Sequence, residues 1–268
     1  MIHRARFADG LDRICDLGGV RAAVFAAWAF AWCVPLFPSA GALNEFRDAH
    51  VLVQYEEVAV RTVRDHRELP LWDPYYCGGV DLLGSPQTRH AAPTFLLSLL
   101  FGARRAGPLV AFAMLMLGME GFFRYARSRT RGGFGPAIVA PLFAGSGFFA
   151  SSFFMGWVNF LGFTLMPWVL AGVTRAVRGD RSGIAYIALA TSFMIGFGGT
   201  YAAPMTAIFA TCELARSIVE RGPRHRETWN GAGLAALGAF LAAAVAAVRL
   251  WPIAETLSHS NRIMAGAP

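Results

Sequence analysis

Apolar stretches near the length of a bilayer span, separated by short turns crowded with arginine, constrain this chain more than any other feature. A helix needs about 20 mostly apolar residues to cross the hydrocarbon core, and residues 20–37, 107–123, 134–154, 157–173 and 231–248 each approach that length. The stretch 182–212 is too long for one helix and has Arg-rich flanks, while Gly198, Gly199, Thr200 and Pro204 mark a turn inside it. It is therefore predicted to hold two spans. The predicted fold is all-α: a polytopic transmembrane bundle of about seven spans forming a single domain over 1–268, with one long outer loop over 38–106.

Composition agrees. Only 15% of the 268 residues are charged and 55% are hydrophobic, whereas soluble domains carry roughly 25% charge. All 24 basic Lys+Arg positions are arginine, and the formal net charge is +7. Much of that charge falls in short clusters between apolar spans, the pattern of cytoplasmic loops rather than of a nucleic-acid surface. Arg4, Arg6 and Arg13 precede the first span, Arg124, Arg127, Arg129 and Arg131 follow the second, and Arg175, Arg178 and Arg181 follow the fourth. This predicts a cytoplasmic N-terminus and an outer C-terminus. Arg104 and Arg105 are the exception, because the count leaves them outside. Ala40, Gly41 and Ala42 resemble a signal-peptidase site, but the long mixed-charge stretch before the apolar core favours an uncleaved anchor. The segment 94–101 is apolar but too short to span and reads as an interfacial or re-entrant helix.

The outer loop holds eight of the chain's 17 acids, and over 51–63 it has helical spacing, with Val51, Tyr55, Val58 and Thr62 on one side. A helix on the membrane and a solvated surface helix both fit. The following segment is turn-rich and aromatic. Trp72, Tyr75 and Tyr76 suit the headgroup level or the apolar C–H face of a sugar. Cys15, Cys33, Cys77 and Cys212 lack metal-ligand spacing; Cys33 and Cys77 both fall on the outer side, where a disulfide or isolated thiols are open to them. Asp48, His50 and His90 leave a divalent metal possible, with no motif to support it. Glu120 sits inside the second span, with Arg124 four residues on as its local ion-pair partner. Arg249 lies at the edge of an apolar helix, where snorkelling toward headgroups and phosphate binding are the alternatives.

The run RELPLWDPY over 67–75, CGGV over 77–80, SPQ over 85–87 and Ala92-Pro93 form a motif set that resembles the bacterial YfhO-type membrane proteins, which are related to the GT-C superfamily of polytopic glycosyltransferases. RLWPIAE over 249–255, with Ser260 and Arg262 beyond it, is a weaker match of the same kind. The chain departs from the pattern in carrying Asp73 for the usual Asn and in lacking the usual motif after Val80. It also stops soon after the last span, so a truncated or minimal form is expected.

The resemblance implies transfer of a sugar from a polyprenyl-phosphate donor to a glycan, lipid or protein acceptor at the outer face of a bacterial cytoplasmic membrane. Asp48, just outside the first span, is the position to carry over as general base. Trp72, Asp73, Tyr75, Tyr76, Gln87 and Glu255 are the expected substrate contacts, and Arg249 and Arg262 would meet the leaving phosphate. No metal or other cofactor is required. A transporter or lipid flippase and a non-catalytic relative are the rival readings; the absence of a visible inverted repeat weighs against the first.

Overall fold

The computed structural model describes residue 12 and residues 15–36, 47–76, 78–130, 132–199, 201–222 and 225–259. The described chain is almost wholly helical. It runs through α1 (Gly18–Cys33), α2 (Arg47–Arg61), α3 (Phe95–Phe101), α4 (Ala103–Arg127), α5 (Phe134–Ala144), α6 (Gly147–Phe154), α7 (Met166–Val177), α8 (Ser182–Gly196), α9 (Ala202–Arg221) and α10 (Arg226–His259). The described strand is a minimal hairpin, β1 (Trp72–Asp73) antiparallel to β2 (Val80–Asp81). Five stretches are long and apolar enough to cross a membrane: Gly18–Leu36, Ala103–Arg127, Phe134–Phe153, Val158–Val177 and Arg226–His259. Helices α8 and α9 flank the break expected inside 182–212. The first is apolar but only 15 residues long; the second carries Glu213, Arg216, Glu220 and Arg221 in its second half. Pro204 sits in the first turn of α9 rather than in the break, where its missing N–H costs no helical bond.

Large apolar side chains cover the outside of the bundle, and small residues line the closest helix contacts within it. Leu142, Leu189, Phe240, Val245, Val248 and Trp251 are exposed. The buried stripe of α10 is Thr228, Gly231, Ala235, Gly238, Ala242, Ala246 and Arg249, which recur at helical spacing. A Cβ added at Gly231 would lie 2.6 Å from the Val177 Cα, and one at Gly183 would lie 2.5 Å from the Gly172 carbonyl oxygen. Backbones meet where the side chains vanish, which is how helices associate when the surrounding solvent is as apolar as leucine. The molecule is a membrane-embedded helix bundle. Helix α4 and the α7 segment form its centre, with Ala111, Met114, Leu115 and Met119 among the side chains fully sequestered from the surface.

One of the expected continuous spans is broken, and the next changes helix type along its length. The segment 134–154 divides at Gly145 and Ser146 into α5 and α6, and the Trp28 ring packs where a Gly145 side chain would stand. The next span opens as a 3-10 helix, Val158–Leu165, and passes directly into α7 at Met166, with Pro167 in its first turn. Helix α10 overshoots its predicted limits at both ends. At 34 residues it is about 51 Å long, more than a bilayer core requires, and its C-terminal excess holds the loop over 82–88 through Arg249.

The arginine-rich turns gather at one end of the bundle. There Glu120 accepts from Arg124 (2.7 Å) and from Arg21 of α1 (2.8 Å). Buried Glu213 accepts from Arg129, Arg216, Thr174 and Tyr125. The Glu120–Arg124 pair follows from sequence spacing; Arg21 joins it only through tertiary packing. The opposite end holds α2, the hairpin, α3 and the turn between α8 and α9.

Helix α2 begins earlier than its periodicity suggests and ends in a π-helical turn, Thr62–His66. Its apolar face lies on neither membrane nor water. Leu52, Tyr55, Val58 and Ala59 are buried against Leu82 and Phe95, so the loop and α3 serve as its hydrophobic partner.

Candidate functional site

The loop over 82–92 is held against the bundle by backbone contacts and one arginine. Asp81 accepts the Gly84 amide at 2.8 Å and the Thr256 hydroxyl at 3.0 Å, joining the hairpin to α10. Gly198, at φ +83°, turns the chain between α8 and α9 where a side chain would strike the Gln87 carbonyl at 2.9 Å. Gly156, at φ +76°, does the same before the 3-10 segment, where a Cβ would lie 2.1 Å from that of Ala49. Only glycine satisfies both the left-handed backbone and the close approach.

Arg249 is 1% exposed. It donates from Nη1 to the carbonyls of Leu82 (3.0 Å) and Leu83 (2.5 Å), and from Nη2 to those of Ser85 (2.6 Å) and Thr88 (2.8 Å). A further bond reaches the Thr88 hydroxyl. The guanidinium is thus a clamp on the loop; buried as it is, it does not snorkel toward headgroups, and its Nε is left without a hydrogen-bond partner. The sequence placed it at a helix edge; only the tertiary structure returns the loop backbone to it. His90 packs nearby, edge-on to Phe95. Burial and the neighbouring Arg249 charge push its imidazole down to about 4, with Asp81 acting in the opposite sense.

Between α2, the loop and the 3-10 segment opens a cleft of about 480 Å³. Tyr55 and Tyr76 form one wall, their rings edge-to-face at 5.6 Å. Trp157, Phe160 and Tyr201 form the other, with Phe160 stacked on Tyr201 at 5.4 Å. Gln87 and Asn159 add amides, and the buried Asn159 Oδ1 has no hydrogen-bond partner. Buried amide oxygens are ordinarily satisfied, which sets this one apart among the residues that line the cleft. Aromatic faces with a few convergent amides are what a small polar ligand with an apolar face requires.

Asp48 occupies the first turn of α2, one and two turns before Leu52 and Tyr55, which line the cleft. Its side chain lies outside the described residues, as do Cys77, the 40–42 segment and Arg262. Of the other expected contacts, the structure brings Tyr76 and Gln87 to the cleft. Trp72 and Tyr75 are exposed and Glu255 stands on the exposed face of α10; none of the three lines it. Asp73 is fully buried, and its Oδ1 accepts the Tyr75 amide at 2.8 Å. It ties the hairpin turn; it does not line the cleft, and its buried Oδ2 has no hydrogen-bond partner. Cys33 is a free buried thiol. No group of three or more His, Cys, Asp or Glu is placed to hold a metal among the described residues; His50 is exposed and His90 faces Arg249.

Trp157, Asn159, Phe160 and Tyr201 were missed by the sequence reading, which absorbed them into spans and their turns. An amide between aromatics at a span boundary was the available signal. No family model, curated protein or solved structure matches the chain.

Proposed function

We propose that this protein is a GT-C-type membrane glycosyltransferase of the bacterial cytoplasmic membrane, moving a sugar from a polyprenyl-phosphate donor to a glycan, lipid or protein acceptor. The observation that carries the reading is the aromatic and amide-lined cleft beside the helix turn that bears Asp48. A pyranose presents C–H faces to the rings of Trp157 and Tyr76 and hydroxyls to Gln87 and Asn159. The Asp48 carboxylate takes the acceptor hydroxyl's proton as that oxygen bonds to the anomeric carbon. The bond from that carbon to the phosphate breaks, its electron pair leaves on the phosphate, and the centre inverts. Holding both substrates in line supplies much of the rate. The reading includes about seven crossings, with α8 and α9 completing the set, an inner N-terminus and an outer cleft. A transporter would place its polar groups near the midplane, whereas Glu120 and buried Glu213 lie at the arginine-rich end of the bundle and are consumed in ion pairs.

One observation favours a second reading, a non-catalytic glycan-binding relative: both terminal nitrogens of Arg249 are engaged by the loop, and only its buried Nε is without a partner. The test is transfer of radiolabelled sugar from a panel of polyprenyl-phosphate donors, using membranes that carry the wild type, Asp48→Asn or Asn159→Ala. Transfer lost in Asp48→Asn with insertion and melting temperature retained supports the reading. Transfer surviving that change overturns the base assignment. No transfer from any donor, with glycan binding lost in Asn159→Ala, establishes the second reading instead.

A further inference from the structure

We propose that the groove between the end of α2 and the start of α4 binds the phosphate of an anionic membrane lipid. The inference needs only that the bundle sit in a bilayer, and it stands apart from the transferase reading. Arg104 and Arg105 break the charge pattern of the sequence, and the structure supplies them with company. Arg61 and Arg64 come to the same cavity, about 330 Å³ in volume, from the end of α2 and the π-helical turn. These four arginines face two acids, Glu57 and Asp65. Their position is the end opposite the arginine-rich turns, since Arg105 and Arg127 lie 22 residues apart on α4, about 33 Å along its axis. That separation matches the thickness of a hydrocarbon core, roughly 30 Å.

The arrangement is specific in its parts. Glu57 pairs with Arg61 at 2.9 Å and reaches Arg104 at 3.9 Å, holding a guanidinium from each helix on either side of it. Arg64 is anchored to α3 through the Leu99 carbonyl. Arg105 is exposed and has no ion pair among the described residues. Guanidinium groups match phosphate oxygens with paired, charge-assisted bonds. Gly102 and Ala103 line the same cavity. The first helical bond of α4 there runs from the Ala106 amide to the Gly102 carbonyl, with no side-chain cap. The amides that precede it add positive potential.

The lipid, rather than free phosphate, is indicated by what flanks the groove. Phe101 lines it, and Leu96 and Leu100 on the same short helix are exposed. An apolar interfacial helix beside a cationic groove takes acyl chains and headgroup together.

The test uses the full chain in neutral detergent and a fluorescent phosphatidylglycerol probe, with phosphatidylcholine and inorganic phosphate as competitors. Phosphatidylglycerol is expected to bind in preference to phosphatidylcholine, and Arg105→Gln, which breaks no ion pair, to weaken it about fivefold. Arg181→Gln, at the opposite end, should leave binding unchanged. Equal affinity for both lipids, no effect of Arg105→Gln, or equal weakening by Arg181→Gln would each overturn the proposal. Displacement by inorganic phosphate as effective as by phosphatidylglycerol would show a free-phosphate site and overturn it as well.

Discussion

Replacing Arg249 with methionine should release the loop over 82–88 from α10 while leaving the spans in place. The guanidinium makes five hydrogen bonds to the Leu82, Leu83, Ser85 and Thr88 carbonyls and the Thr88 hydroxyl. At about 1 kcal/mol net for each bond, their sum is about 5 kcal/mol. Removing a buried charge also removes its desolvation cost, which offsets part of that and leaves roughly 3 kcal/mol. Such a change raises the open population of the loop more than a hundredfold. The assay is amide hydrogen exchange at Leu82, Ser85 and Thr88, whose N–H groups bond within the loop to Leu71, Asp81 and Ser85, followed alongside the melting temperature. Exchange unchanged in Arg249→Met would refute the clamp. Arg249→Lys separates charge from shape, because an ammonium cannot span both carbonyl pairs as the planar fork does; full rescue by lysine would refute the geometric part.

Three further outcomes are expected. Gly231→Val should lower the melting temperature by an amount equivalent to about 1–3 kcal/mol, because its Cβ would stand 2.6 Å from the Val177 Cα; an unchanged melting temperature would show that α10 is not seated on α7. Glu120→Gln should cost about 3 kcal/mol, since it strands Arg21, which is 11% exposed, along with Arg124. A cycle with Arg21→Gln should show the two changes to be non-additive, and simple additivity would deny the interhelical pair. Stability should also fall with acid. The His90 imidazole is held down at about 4 from 6.5, so the folded state binds fewer protons than the unfolded one between those values. Its contribution, about 3 kcal/mol, is present above pH 6.5 and lost as pH falls through 4. His90→Asn should flatten melting temperature against pH in that window, and an identical profile would reject the assignment.

Local pattern was sufficient for much of the bundle. Span-length apolarity placed α1, α4, α7 and α10, because a bilayer accepts only helices whose backbone bonds are satisfied internally. The Gly198–Gly199 pair announced the turn before α9, since a left-handed turn is a property of the residue itself. The Glu120–Arg124 pair was legible because it lies within one helical turn. What depended on chain segments meeting was not legible. Arg249 reads as a cation near a membrane until the carbonyls of a loop more than 160 residues away fill its fork. Tyr55 reads as one position on an amphipathic stripe until Tyr76, Trp157 and Tyr201 close a cleft around it. Arg104 and Arg105 read as an anomaly until α2 delivers Arg61 and Arg64. Secondary structure and burial follow from periodicity and solvent, which are local. A site is a coincidence of distant side chains, and only the packing of small residues along the helices decides which of them coincide.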